Sequence, residues 1–193
     1  MDKKTIKKLF YVSYVILLIG FVGGAFLAPF VAFKDEKIAN MIYEIYAPTC
    51  HQKISRSFCV FDDNPLNIGD CTPQLGKFIP NDNKIIKTEY EGKIGYKIAF
   101  CSRDTGIYGM MLIAAFIYPL LRKWDSDEVL PPIYFILALI PLAIDGGLQL
   151  LGALNLVGHY ESTNTIRFLT GAFAGFAATF YLIPLVMNFI EKR

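Results

Sequence analysis

Four groups of residues in this chain have side chains able to do chemistry, and they lie far apart in sequence. Cys50 and His51 are adjacent, Cys101 and Asp104 flank Arg103, Asp145 precedes Gln149 by one helical turn, and Arg167 follows Ser162 and Asn164. Two thiols, an imidazole and a carboxylate make a set with which zinc is commonly held, so Cys50, His51, Cys101 and Asp104 are candidate metal ligands. Neighbouring side chains diverge in regular structure, so Cys50 and His51 could share one ion only from an irregular loop. Arg56, Arg103 and Arg167 carry planar forks that suit phosphate or carboxylate, with Gln149, Ser162 and Asn164 as neutral partners for the same anion. Each arginine alone could equally snorkel to a membrane interface or pair with Asp104 or Asp145. Asp145 sits inside an otherwise apolar stretch. An intramembrane carboxylate faces a partner, a bundle interior or a water-filled cavity, so Asp145 is either a catalytic base or ligand or half of an ion pair with Arg103 or Arg167. Asp104 or Thr105 would also serve as a helix cap. Cys59 and Cys71 are expected to form a disulfide; for Cys50 and Cys101, disulfide, metal and redox use all stay open.

These groups must be positioned by membrane helices. The chain has 193 residues, of which 54% are hydrophobic and only 19% charged. Residues 9–33 contain no charged side chain, and about 20 apolar residues cross a bilayer core. That run is too long for the apolar region of a signal peptide, and we read it as a retained first span. Residues 105–121, 131–151 and 168–190 supply three more. Lys and Arg crowd the N-terminal tail, the turn at Arg122 and the C-terminus, whereas residues 153–166 hold none. The positive-inside rule then expects both termini in the cytoplasm and residues 34–104 outside. All four chemical groups fall at the outer ends of the spans. A net charge of +2 without a basic cluster gives no support for nucleic-acid binding.

The expected architecture is an all-α membrane protein, a four-helix bundle under a small extracytoplasmic cap in one membrane domain. Ile38, Met41, Ile42 and Ile45 recur at helical spacing, which predicts an amphipathic helix on the bundle or in the headgroup zone. Residues 58–83 read as irregular loop, and residues 84–90 and 93–100 as a β-hairpin turning at Glu91-Gly92. Gly20-x-x-x-Gly24 and Gly171-x-x-x-Gly175 allow close helix approach. Pro141, one turn before Asp145, predicts a kinked or unwound third span.

Across about residues 40–175 the chain resembles an uncharacterised family of small predicted integral-membrane proteins, classed as a domain of unknown function. The resemblance rests on Cys50-His51-Gln52, the Cys-x-Arg-x-x-Gly-x-Tyr-x-Gly run from Cys101 to Gly109, Asp145-Gly146-x-x-Gln149 and Ser162-x-Asn164-x-x-Arg167-x-x-Thr170-Gly171. It implies membrane residence and no particular activity. The family pattern has a second cysteine where this chain has Asp104. Asp cannot exchange disulfides but can ligate zinc, so the departure favours metal or hydrogen-bonding roles over thiol chemistry.

Together these features lead us to expect a metal-dependent enzyme acting on a lipid or polyprenyl-phosphate headgroup. Asp145, Asp104 and His51 would be its catalytic groups, zinc its cofactor, and membrane lipid with an anionic headgroup its partner. Two alternatives remain: a lipid or small-molecule carrier that cradles its cargo at an interrupted third span, working as a homo-oligomer, and a thiol oxidoreductase coupled to a membrane quinone.

Overall fold

The computed structural model describes residues 2–72, 81–90, 92–156, 158 and 160–193. Five α-helices are present among them: α1 (Lys3–Ala32), α2 (Glu36–Tyr46), α3 (Ser102–Leu121), α4 (Pro132–Ala153) and α5 (Asn164–Lys192). All but α2 are long and apolar enough to cross a membrane. The chain is mostly helical, and its strands form one small antiparallel sheet.

That sheet has four strands, β1 (Phe58–Phe61), β2 (Asn64–Asp70), β3 (Lys87–Tyr90) and β4 (Lys93–Lys97), in the order β2-β1-β4-β3. β3 and β4 form the expected hairpin, although Glu91 of its turn lies outside the described residues. The segment expected as irregular loop instead supplies β1 and β2; its residues 73–80 lie outside the described residues. Phe58-Cys-Val-Phe lacks the alternation of a half-exposed strand because Cys59, Val60 and Phe61 are all buried. β2 carries the Asn, Pro and Gly that suggest turns, which a sheet tolerates on an edge strand. Cys59 and Cys71 are bonded, closing the β1–β2 unit at its open end.

Helix α2 forms where its spacing predicts. Asp35 caps it, accepting from the Lys37 and Ile38 amides at 2.8 and 3.2 Å. Its buried face is Ala39, Tyr43 and Tyr46, whereas Ile38, Met41 and Ile45 are exposed. Tyr46 donates to the Phe21 carbonyl at 2.7 Å and fills the space above Gly24, where a Cβ would lie 2.3 Å from its hydroxyl. Gly24 thus makes room for a tyrosine rather than for a crossing helix.

Two prolines contribute through the carbonyls they release. Pro29 cannot bond the Ala25 carbonyl, which accepts instead from the Ala99 amide at 3.2 Å. Pro119 likewise frees the Ala115 carbonyl, and Tyr11 of α1 donates to it at 2.7 Å. Helix α1 is therefore tied to the segment leading into α3 and to α3 itself. Helix α4 runs unbroken from Pro132 to Ala153, so the unwinding expected at Pro141 is absent.

The closest helix contact is α3 on α5. A Cβ on Gly171 would fall 2.3 Å from the Arg103 carbonyl oxygen, one on Gly175 2.1 Å from that of Ile107, and one on Gly106 2.1 Å from that of Phe168. The backbones touch, so no side chain fits between them. Replacing Gly175 with Ala is expected to destabilise the protein by about 1–3 kcal/mol, in the range of overpacked cores. Gly20→Ala, where nothing lies within 4 Å, should be neutral; denaturant titration in detergent compares the two.

Candidate functional site

The first residues of α3 build one wall of the site. The helix begins at Ser102, so the cap position falls on Cys101 and not on Asp104 or Thr105 as expected. Thr105 bonds back to the Cys101 carbonyl at 3.0 Å, and Asp104 lies in the first turn with its carboxylate turned towards Cys101. The Cys101 thiol donates to Asp104 Oδ2 at 2.9 Å. Cys50 arrives from the loop after α2, where Gln52 takes a left-handed backbone conformation (φ 48°) and donates its amide to Cys50 Sγ at 3.3 Å. Cys50 Sγ, Cys101 Sγ and an Asp104 carboxylate oxygen all lie within 4.8 Å of one another. His51 is exposed on the cavity wall, outside that trio, because adjacent side chains leave the backbone in different directions.

The two free thiols respond oppositely to this arrangement. The hydrogen bond from Cys101 holds Cys50 below the ordinary thiol range, with the Gln52 amide assisting against the effect of burial. Cys50 and Asp104 share the one Cys101 proton as acceptors and so keep it on that sulfur, and burial pushes the thiol up further. Cys50 is the more acidic thiol of the pair.

A cavity of about 400 Å³ opens in front of the trio, and Lys53, Arg56, Arg103, Gln149 and Arg167 share its walls. The arginines arrive already partnered. Arg103 binds Asp145 at 2.5 Å, while Arg56 (3.2 Å) and Arg167 both bind Glu161. Arg167 also donates to Gln149 at 3.3 Å and to Asn164 at 3.4 Å, and its side chain is only 2% exposed. Asp145, Ser162 and Asn164 do not reach the cavity wall. Asp145 collects Arg103, Gln149 (3.2 Å) and Tyr160 (3.1 Å). Asn164 accepts from Ser102 at 2.9 Å and donates to Asp70 at 3.1 Å, joining α3, α5 and the end of β2. Ser162 is buried and donates to the Thr163 carbonyl at 3.3 Å. These residues form a layer behind the wall that fixes the arginines.

Sequence reasoning missed three participants. Glu161 neutralises two arginines, and Tyr160 binds Asp145; both sit in the loop after α4, which carries no motif apart from its short spacing to Ser162. Lys97, fully buried in β4, donates to the backbone carbonyls of Gln52 and Asn83, the latter at 3.2 Å. Burial holds its amine down at about 8, against the pull of nearby Asp82. In sequence it is one basic residue among several in a hairpin.

Chemically, two thiols and a carboxylate with one side open to a cavity match a three-ligand metal site with a vacant position for water or substrate. They equally make a dithiol pair. The description "Predicted membrane protein (DUF2085)" belongs to the family model that matches residues 93–181, which carry Cys101, Asp104, Asp145 and Arg167. An uncharacterised protein of Methanocaldococcus jannaschii is 32% identical over 192 residues, covering 96% of this chain and 98% of its own length. No solved structure matches the chain.

Two outcomes follow from this geometry. In the metal-free protein, iodoacetamide should label Cys50 at a lower pH than an ordinary thiol and Cys101 only at much higher pH, read by mass spectrometry of labelled peptides. Asp145→Ala should destabilise by about 3–5 kcal/mol, since it leaves Arg103 half-buried and unpaired; denaturant titration measures the loss.

Proposed function

Because the chain belongs to the DUF2085 family of predicted membrane proteins, we propose that it is a metal-dependent membrane enzyme acting on the phosphate of a lipid or polyprenyl headgroup. The observation that carries this reading is that Cys50, Cys101 and Asp104 share one cavity with the forks of Arg56, Arg103 and Arg167. In this reading the two thiols and Asp104 hold zinc, which would acidify a coordinated water. Arg56 and Arg103, the more exposed forks, take the phosphate oxygens, exchanging them for Glu161 and Asp145. Arg167 stays behind them as a fixed charge. His51, on the wall and open to solvent, moves the proton, and Asp145 acts through Arg103.

The same reading places both termini in the cytoplasm and the cavity at the outer leaflet. The basic flanks support that orientation, and so does the Cys59–Cys71 disulfide, a bond that persists in oxidising compartments.

A second reading is favoured by the contact between the Cys50 and Cys101 thiols. The chain lacks Cys-x-x-Cys at the start of α3, yet the loop after α2 supplies the missing partner thiol. A dithiol oxidoreductase coupled to a membrane quinone would use that pair, with Asp104 taking the Cys101 proton. The carrier alternative rested on an interrupted third span and loses that support where α4 is continuous.

Metal analysis with thiol counting separates the two. Purified protein is expected to carry about one zinc per chain, lost in Cys101→Ala and Asp104→Ala, and to release phosphate from a polyprenyl diphosphate; this follows from a three-ligand catalytic site. A metal-free protein with Cys50 and Cys101 joined would sink the zinc enzyme and leave the oxidoreductase.

A further inference from the structure

The structure assigns Lys97 as the positioning residue that holds Cys50 against Cys101. This assignment rests on the Cys50, Cys101 and Asp104 cluster being the working centre, whichever chemistry it performs.

A fully buried lysine is expensive unless its ammonium is satisfied. Lys97 has no exposed surface, and two of its three protons go to backbone carbonyl oxygens in place of a carboxylate ion pair. One goes to Gln52 and another to Asn83 at 3.2 Å, while the ammonium lies 5.7 Å from the centre of the Tyr43 ring. The loop after α2 and the short 3-10 turn Asp82–Lys84 are thereby tied to one strand.

The Gln52 carbonyl matters because of where it sits. Gln52 has φ 48°, a left-handed conformation that costs energy in a residue with a side chain and persists only where surrounding bonds enforce it. Those bonds can be traced. Gln52 Nε2 donates to the Tyr43 carbonyl at 2.8 Å, its carbonyl accepts from Lys97, and the Tyr43 hydroxyl donates to the Lys97 carbonyl at 2.5 Å. The ring closes on itself. Its one outward-facing product is the Gln52 amide, which points at Cys50 Sγ. Lys97 also stands four residues before Cys101 on the same strand and its extension, pairing with Cys59 of β1 across the sheet. The two thiols come from chain segments 51 positions apart, and Lys97 is the side chain that bonds one segment while belonging to the other. Residues that orient a thiol or imidazole from behind in this way typically change metal affinity by about 10- to 100-fold when removed.

The test uses cadmium ion as the probe, read through the thiolate-to-cadmium charge-transfer band of the full-length protein in detergent. Lys97→Met keeps the length and apolar stem and removes the three donors. It is expected to retain helical circular dichroism and the Cys59–Cys71 disulfide while binding cadmium about 10-fold or more weakly, with a diminished band. In Lys97→Ala, added ethylammonium should restore part of the affinity, an effect that general loss of structure would not produce. Unchanged cadmium affinity in Lys97→Met, or a wild-type protein that binds no cadmium through Cys50 and Cys101, overturns the assignment. Should Lys97→Met fail to fold, Tyr43→Phe decides, since it deletes only the hydroxyl on the Lys97 carbonyl: weaker cadmium binding supports the ring, and unchanged binding overturns it. A protein purified without zinc, or inactive on phosphate esters, would sink the function proposed above and leave this measurement standing.

Discussion

Everything at the site depends on how close α3 and α5 come. With hydrogen at positions 106, 171 and 175, carbonyl oxygens of one helix rest against the α-carbons of the other. That contact fixes both rotation and height, because a one-residue slip would turn each glycine away and drive a side chain into backbone. Its geometric result is that the first turns of the two helices start side by side. Ser102 meets Asn164, and the arginines at 103 and 167 emerge towards a common space. Burying apolar surface does not hold helices together well where the surroundings are lipid, so close packing of small residues has to carry that task.

The second constraint is the fate of charge in a poorly solvated place. Arginines at 56, 103 and 167 would repel one another unless carboxylates were interleaved, and the chain interleaves two, Glu161 and Asp145. Each carboxylate is shared among several donors, so no single contact dominates and each partner is held in a defined rotamer. The prolines act in a related way. By withholding amides inside α1 and α3 they leave carbonyls that an incoming strand amide and a tyrosine hydroxyl use, so polar groups within apolar helices join elements together.

Much of this was legible in the sequence. Apolar run lengths located the four long helices, small-residue spacing anticipated Gly171 and Gly175, and the odd residues at helix ends marked where a cavity would form. The errors have physical causes. Strands β1 and β2 were hidden because one is buried on both faces and the other, at an edge, carries turn-forming residues that edge pairing tolerates. The spacing of Ile38, Met41 and Ile45 allowed either the bundle or the headgroup zone; the tyrosines on the opposite face make the bonds to the bundle and leave that stripe exposed. Pro141 does not unwind α4, since the loss of one amide bond leaves the helix continuous. Glu161 and Lys97 were missed because each joins a distant partner, Arg56 and Gln52 respectively, and one-dimensional spacing holds no record of those meetings.

Helix α4 has a consequence of a different kind. It is 22 residues long, and among its described side chains only Asp145 and Gly152 are buried. Its remaining apolar surface faces outward and, in a bilayer, would exchange protein for lipid at little net gain. Helix α4 is held along α5, where the Phe135 and Tyr181 rings lie 5.0 Å apart and Tyr181 donates to the Pro131 carbonyl, and towards its other end the pairing of Asp145 with Arg103 ties it to α3. An anion that competes for that arginine would exchange with one of the bonds that tie α4 to α3, so that recognition of charge at the cavity and the seating of a helix draw on the same bond.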